Sequence, residues 1–195
     1  MKFGLVVHPF SDDNLRLASQ IGVSDIIYCD INDHHQNTKR SFPTVDELLQ
    51  VRRRVEGFGM RLSLLEIAFP MDRIIGSKPG REKQLKQFKR ALDNLGKAGI
   101  ELSCYDWMPT ESSVIRTSFE STTRGAAQTS VFDMRATSAA IDAKPVTTVE
   151  QMWDDLEYFL RSCLPAAKAA GVKLAMHPDD PPLESLDGYA RIMGS

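Results

Sequence analysis

Five short runs of hydrophobic residues stand out along the chain, and each is nearly continuous rather than alternating with polar residues. Strands that are buried on both faces have this pattern, and such strands are usually parallel. We therefore predict five parallel strands, over residues 3–8, 25–30, 62–67, 102–106 and 173–177.

Helical patterns with recognisable ends separate these runs. Thr44 and Glu47 have the spacing of a capping box, and hydrophobic residues at helical spacing follow as far as Gly57. Thr147 and Glu150 have the same spacing, which predicts another capping box at the start of the last helix. The sequence thus predicts helices over residues 11–22, 44–57, 81–99 and 147–171.

The same joint recurs where three of these helices end. Gly22, Gly99 and Gly171 each follow a helical pattern and precede a hydrophobic residue that leads into a strand. A glycine at a helix end that opens directly onto a buried strand is typical of repeated strand–helix units, which build either a doubly wound sheet or a closed barrel. No glycine-rich phosphate loop follows a strand, which disfavours a nucleotide-binding fold.

Composition narrows the class of protein further. The chain has 195 residues, of which 42% are hydrophobic and 26% charged, as in a water-soluble domain. The formal net charge of -2 gives no electrostatic basis for binding nucleic acid. No hydrophobic run approaches the ~20 residues of a membrane span, so we expect no membrane partner. The odd count of three cysteines favours reduced thiols and a cytoplasmic location.

Residues 107–146 break the alternation of strands and helices. This segment is polar, rich in Ser and Thr, and weakly periodic. Long connections inside a compact domain are usually functional lids or disordered stretches. We therefore predict a lid-like insertion after the fourth strand.

Ionisable side chains gather where the five predicted strands end: His8, Asp30, Glu66, Asp106 and His177. In α/β barrels the carboxyl ends of the strands are where active sites are built, so we expect these residues at one rim. A structural interpretation stays open for each of them. His8 precedes a proline and can cap a strand end, whereas an ionised Glu66 in a mostly buried strand needs a cation or hydrogen-bond donors.

His177 is the strongest candidate for a metal ligand. A neutral imidazole binds divalent metals well, and the predicted strand delivers it to the rim. Asp179 and Asp180 follow closely and can orient its ring or hold water. On spacing alone, a loop histidine beside a turn is an equal interpretation. The adjacent pair His34 and His35 is better explained as part of a solvated loop.

Two motifs resemble those of one enzyme family. His-Pro-Asp-Asp-Pro-Pro at residues 177–182 closely resembles the signature of the mannonate dehydratases. Cys-Tyr-Asp-Trp-Met-Pro at residues 104–109 resembles the motif on that family's fourth strand, although Asp106 stands where the family commonly has Asn. Arg116 and Thr117 resemble the Arg-Thr-Asp that follows it.

The resemblance implies a TIM-type (β/α) barrel, of which residues 1–195 form about the first five units as one partial domain. It also implies a divalent metal, usually Mn²⁺, and dehydration of the sugar acid D-mannonate to 2-keto-3-deoxy-D-gluconate. His177 matches a metal-ligand histidine of the family. The family's other metal ligands and its acid/base groups lie on later strands, beyond Ser195. For substrate binding we expect Arg116 at the carboxylate, with further contacts from Tyr105, Asp106, Trp107, His8 and Glu66.

Two other functions stay open on the sequence. One is a different metal-dependent TIM-barrel enzyme, a sugar isomerase or epimerase, in which Glu66 joins His177 as a metal ligand. The other is a non-catalytic, truncated fragment that keeps the fold without a complete site. Five strands leave two hydrophobic sheet edges open, so we expect a homo-oligomer or a part of a longer chain.

Overall fold

A single parallel sheet organises the molecule. The computed structural model describes residues 2–29, 42–66, 69–109, 116–136 and 143–194. The sheet strands are β1 (Gly4–Val6), β2 (Asp25–Tyr28), β3 (Arg61–Glu66), β4 (Leu102–Asp106) and β7 (Lys173–His177), and they lie side by side in that order. Every neighbouring pair is parallel, so the predicted sheet of five sequential strands is confirmed.

Helices connect these strands, and two small hairpins complete the described structure. The helices are α1 (Asp12–Gln20), α2 (Val45–Glu56), α3 (Arg81–Lys97) and α4 (Val149–Ala170). The hairpins pair β5 (Ser118–Thr122) with β6 (Gln128–Val131), and β8 (Ser185–Leu186) with β9 (Tyr189–Ala190). Among the described residues, no helix is both long and hydrophobic enough to cross a membrane.

The predicted start of α2 is confirmed. The Thr44 hydroxyl accepts a hydrogen bond from the backbone N–H of Glu47 at 3.3 Å. The Glu47 carboxylate accepts one from the backbone N–H of Thr44 at 2.7 Å, which closes the capping box. These hydrogen bonds from Thr44 lower the pKa of Glu47, because they favour its ionised form.

The predicted start of α4 is wrong by one residue. Thr148, not Thr147, caps this helix and accepts a hydrogen bond from the backbone N–H of Gln151 at 3.2 Å. The Thr147 hydroxyl instead accepts a hydrogen bond from the backbone N–H of Ala190 at 3.1 Å. The local sequence pattern predicts the Thr147 hydroxyl as the helix cap, but this hydroxyl is hydrogen-bonded to strand β9 instead.

The glycine joints after α1, α3 and α4 have the geometry that the sequence indicates. Gly22, Gly99 and Gly171 have φ angles of +85°, +69° and +69°, in the left-handed region where glycine has no steric penalty. Each turns the chain directly from a helix end towards the next strand.

The hydrophobic core lies between the sheet and the helices. Phe88 of α3 packs edge-on against Phe69 and against Phe159 of α4, with ring centroids 4.7 and 4.9 Å apart. Tyr105 and Trp107, at the end of β4, both lie 5.3 Å from the Phe159 ring. These aromatic contacts fix β4, and hence the rim beyond it, against the helix layer.

The segment from 107 to 146 contains regular structure that its composition does not predict. Its described part includes the β5–β6 hairpin and two single-turn 3-10 helices, Arg124–Ala126 and Met134–Ala136. Most residues of the hairpin are exposed to solvent. A lid role for this segment stays a prediction.

Candidate active site at the carboxyl edge of the sheet

Three neighbouring strands bring ionisable side chains together where they end. Glu66 ends β3, Asp106 ends β4 and His177 ends β7. Asp106 pairs directly with His177 in the register of the two strands. His177 Nε2 lies 3.9 Å from Glu66 Oε1, and both side chains are about one-third exposed, at 35% and 38%.

The hydrogen bond of the His177 ring determines what its other nitrogen can do. Nδ1 lies 2.6 Å from the carbonyl oxygen of Pro178. Because a carbonyl only accepts, Nδ1 carries the proton, and in the neutral ring Nε2 keeps a lone pair. The Nε2 atom that carries this lone pair lies 3.9 Å from Oε1 of Glu66. Two acceptors at this separation can both contact one bound cation.

Cys104 lies on the same face of β4 as Asp106, because side chains two residues apart on a strand point the same way. Burial, together with the negative charges of Glu66 and Asp106, raises the pKa of the Cys104 thiol to about 11. The thiol is therefore protonated at neutral pH. Cys104 is better explained as a small core residue than as a metal ligand.

Tyr105 and Trp107 lie on the opposite face of β4 and are buried. The Trp107 indole N–H donates to the backbone carbonyl of Met152 at 3.3 Å. Burial raises the pKa of Tyr105 to about 12. Both rings thus support the strand that carries Asp106, and the substrate contact expected of them stays a prediction.

Arg116, expected to bind a substrate carboxylate, forms a two-point ion pair with the carboxylate of Asp180. Its Nη1 lies 3.2 Å from Oδ1, and its Nη2 lies 2.5 Å from Oδ2. Its Nε donates to the Ser130 hydroxyl at 2.9 Å. The β5–β6 hairpin is thereby tied to the loop that follows β7, close to His177 in sequence.

Asp179 faces away from this pair and is buried. It forms an ion pair with Arg191 at 3.2 Å, in which both side chains are almost fully buried, and it accepts the backbone N–H of Met193 at 2.7 Å. Neither Asp179 nor Asp180 therefore supports the His177 ring in the way that the sequence suggests. Sequence reasoning also missed Arg191. The signal in the sequence was that Asp179 and Asp180 are adjacent. If one of these carboxylates is buried, it requires a cation nearby, and Arg191 is that cation.

His8 and Asp30 are the two remaining candidates for the rim. His8 lies two residues beyond β1 and is exposed. Asp30, together with His34 and His35, lies outside the described residues.

The residues present supply part of a metal site. His177 Nε2 and Glu66 Oε1 are two donors of the kinds that divalent ions such as Mn²⁺ and Zn²⁺ accept. Across the described ranges, no group of three or more His, Cys, Asp or Glu side chains is arranged to hold a metal ion. The donor chemistry fits, and further donors are needed.

The fold and this rim define a class of protein: a TIM-type α/β barrel, of which the described residues provide five parallel strands and the helices that connect them, with ionisable groups at the carboxyl edge. The family profile described as D-mannonate dehydratase (UxuA) matches residues 10–149 and 137–195. The chain therefore belongs to the D-mannonate dehydratase family.

Individual relatives agree with this assignment. A mannonate dehydratase from Streptococcus equi subsp. zooepidemicus is 27% identical over 173 residues, covering 76% of this chain and 47% of the relative. Mannonate dehydratase 1 of Bacillus licheniformis is 28% identical over 194 residues, covering 83% and 52%. The chain thus spans about half the length of the curated relatives that it matches.

Solved structures confirm the fold. The crystal structure of mannonate dehydratase from Streptococcus suis serotype 2 superposes with a TM-score of 0.76 at 27% identity, covering 99% of this chain and 56% of that one. A D-psicose 3-epimerase has a TM-score of 0.54 at 13% identity, covering 91% of this chain and 52% of that one. At that identity the second likeness concerns the fold alone.

Proposed function

We propose that the rim formed by Glu66, Asp106 and His177 is part of the active site of a metal-dependent hydro-lyase. Its reaction is the removal of water from D-mannonate to give 2-keto-3-deoxy-D-gluconate. The observation that carries the proposal is His177 Nε2, which faces Glu66 Oε1 at 3.9 Å within the motif that resembles the family signature. Membership of the D-mannonate dehydratase family supports it.

The chemistry requires stabilised negative charge, because a proton next to a carboxylate is only weakly acidic. A divalent ion such as Mn²⁺ would supply positive charge that offsets the negative charge developing as this proton leaves. His177 would hold the ion through Nε2, with its ring fixed by the hydrogen bond to Pro178. Glu66 would complete this side of the site as a metal or substrate ligand.

The substrate would be bound by groups around this centre. Arg116 suits the sugar-acid carboxylate, because its planar guanidinium binds a carboxylate at two points. Asp106 and His8 would form hydrogen bonds with the sugar hydroxyls. The sequence suggests that Tyr105 and Trp107 line the sugar pocket. They would contribute to it by holding β4 in position.

One observation favours a second function. Glu66 lies close enough to His177 for both to bind one metal ion, which is what a metal-dependent sugar isomerase or epimerase on this fold would require. In that reaction Glu66 and His177 would hold the ion, which would supply positive charge beside the ketose while a proton moves, and no water would be lost.

A paired assay separates the two functions. The protein is incubated with Mn²⁺ and either D-mannonate or D-psicose, and the products are analysed by NMR. The dehydratase proposal predicts that a 2-keto-3-deoxy acid forms from D-mannonate and that His177→Ala prevents it. Conversion of the ketose without any reaction of D-mannonate would contradict the proposal and support the epimerase.

A further inference from the structure

Asp180 binds Arg116 in the geometry that a ligand carboxylate would adopt. Both guanidinium Nη atoms meet the two carboxylate oxygens, at 3.2 and 2.5 Å. This parallel, two-point arrangement is the strongest way in which arginine recognises a carboxylate. Since Arg116 Nε is engaged by Ser130, the fork that Asp180 occupies is the fork that an external carboxylate would need.

The pair is accessible and exchangeable. The Arg116 side chain is 24% exposed and that of Asp180 is 43% exposed, so a solute can approach both. Water and salt screen a partly exposed ion pair, so another carboxylate can compete even with a two-point pair. Replacing the Asp180 carboxylate by another carboxylate therefore costs the fold little.

The residue before Asp180 is held much more firmly. Asp179 is almost fully buried against Arg191 and also accepts the backbone N–H of Met193. This buried pair anchors the backbone next to Asp180. The Asp180 side chain can consequently leave Arg116 while the backbone that leads from His177 into this loop stays in place.

We infer that Asp180 is a specificity-determining residue: it occupies the carboxylate subsite of Arg116 until a ligand carboxylate replaces it. A ligand that carries a carboxylate can take over both hydrogen bonds, whereas a neutral polyol cannot. Asp180 and Arg116 together thus favour the binding of acids over that of neutral sugars. Its identification as a sugar-acid selector rests on the proposed function, whereas the exchange of carboxylates on Arg116 does not.

The test uses NMR titrations of the ¹⁵N-labelled chain, followed at the arginine Nε–Hε signals. Three probes are compared: acetate, D-mannonate and the neutral polyol D-mannitol. Asp180→Asn keeps the size of the side chain but weakens its hold on Arg116. We expect this variant to bind acetate and D-mannonate at least about tenfold more tightly than the wild type. D-mannitol should leave the Arg116 signal unchanged in both proteins.

Matched controls separate exchange from general electrostatics and from misfolding. Glu184→Gln removes one negative charge four residues away, and Asp133→Asn breaks a comparable ion pair with Arg135 in the same segment as the hairpin. Both should change carboxylate affinity by less than about twofold. Arg116→Lys keeps the charge without the fork. Followed at the backbone amide signals of residues 116–118 and 180, it should abolish the gain in the Asp180→Asn background while the remaining spectrum is preserved.

Each outcome has one meaning. If Asp180→Asn binds acetate unchanged or more weakly, or if Glu184→Gln gives the same gain, the inference is overturned. If Asp180→Asn gains affinity for acetate but does not prefer D-mannonate to acetate, the exchange stands and the proposed substrate fails. A gain for both acids with a preference for D-mannonate supports both.

Discussion

His177 and Glu66 approach within 3.9 Å although a whole strand, β4, lies between the strands that carry them. Their side chains therefore converge over the face of β4 that carries Cys104 and Asp106. This convergence of three strand ends, rather than any single residue, is the reason to place a site at this edge of the sheet.

The first prediction concerns metal binding at this rim. His177→Ala should weaken Mn²⁺ binding by more than about tenfold, because Nε2 is the most suitable nitrogen donor in the described site. Glu66→Gln should weaken it as well, since an amide carries no charge. Isothermal titration calorimetry gives the affinities. Glu101→Gln, at the opposite edge of the sheet just before β4, is the matched control and should leave them unchanged.

Tight stoichiometric binding that survives His177→Ala would place the metal site elsewhere in the chain.

The second prediction concerns Asp25, at the amino end of β2. Hydrogen bonds from the Ser24 and Ser63 hydroxyls, together with the guanidinium of Arg61, hold the pKa of this buried carboxyl well below its usual range. Since the folded state favours the ionised form, the stabilisation is complete above about pH 5 and begins to decline near pH 4, where the unfolded carboxyl titrates. It is lost only as the pH falls through the lower pKa of the folded state. Asp25→Asn should cost about 1–3 kcal/mol at pH 7.

Urea unfolding at pH 7 and at pH 3 measures this contribution, and the difference between variant and wild type should shrink at pH 3. The exposed Asp154→Asn serves as the control. An equal difference at both pH values would mean that the charge of Asp25 is not what stabilises the fold.

The third prediction concerns the contact between α3 and α4. A Cβ on Gly96 would lie 2.3 Å from the backbone oxygen of Ala170, so α4 would have to move. Gly96→Ala should therefore destabilise the protein by about 1–3 kcal/mol, although alanine favours helices. Gly4→Ala is the control, because its nearest neighbour would lie at an ordinary 3.8 Å. Thermal unfolding compares the two variants, and equal stabilities would contradict the packing argument.

The fourth prediction concerns the open edge of the sheet at β1. Among the described residues no strand pairs with the outer side of β1, and Phe3 and Val6 are 47% and 42% exposed there. Such edges tend to pair with another chain. We expect the isolated chain to associate with increasing concentration and Val6→Lys to reduce this association. Sedimentation velocity measures both, and a monomer at all concentrations would refute the expectation.

The sequence predicts the sheet well because a buried parallel strand has a continuous hydrophobic run that is visible locally. A continuous hydrophobic run does not show, however, towards which face of the sheet each side chain points. On β4 the run does not show that Tyr105 and Trp107 turn towards α4 while Asp106 turns to the rim. That choice depends on Phe159, a residue of a helix far along the chain.

Long-range polar partners were equally hard to predict. Arg116 and Asp180 are 64 residues apart, and Thr147 and Ala190 are 43 apart. Neither pair has a local signature, since any exposed carboxylate or backbone N–H could have been the partner. Local patterns therefore predict the candidate residues, whereas the fold decides which of them meet.

Binding of D-mannonate to this chain in the presence of Mn²⁺ decides whether this rim is part of a sugar-acid dehydratase site. Amide and side-chain NMR signals are followed, with D-psicose as the competing ligand. We expect D-mannonate to perturb the signals of Glu66, Asp106, Arg116 and His177, and His177→Ala to remove the effect of Mn²⁺ on them. Perturbation of these residues by D-psicose, with none by D-mannonate, would contradict the assignment of this rim to a sugar-acid dehydratase.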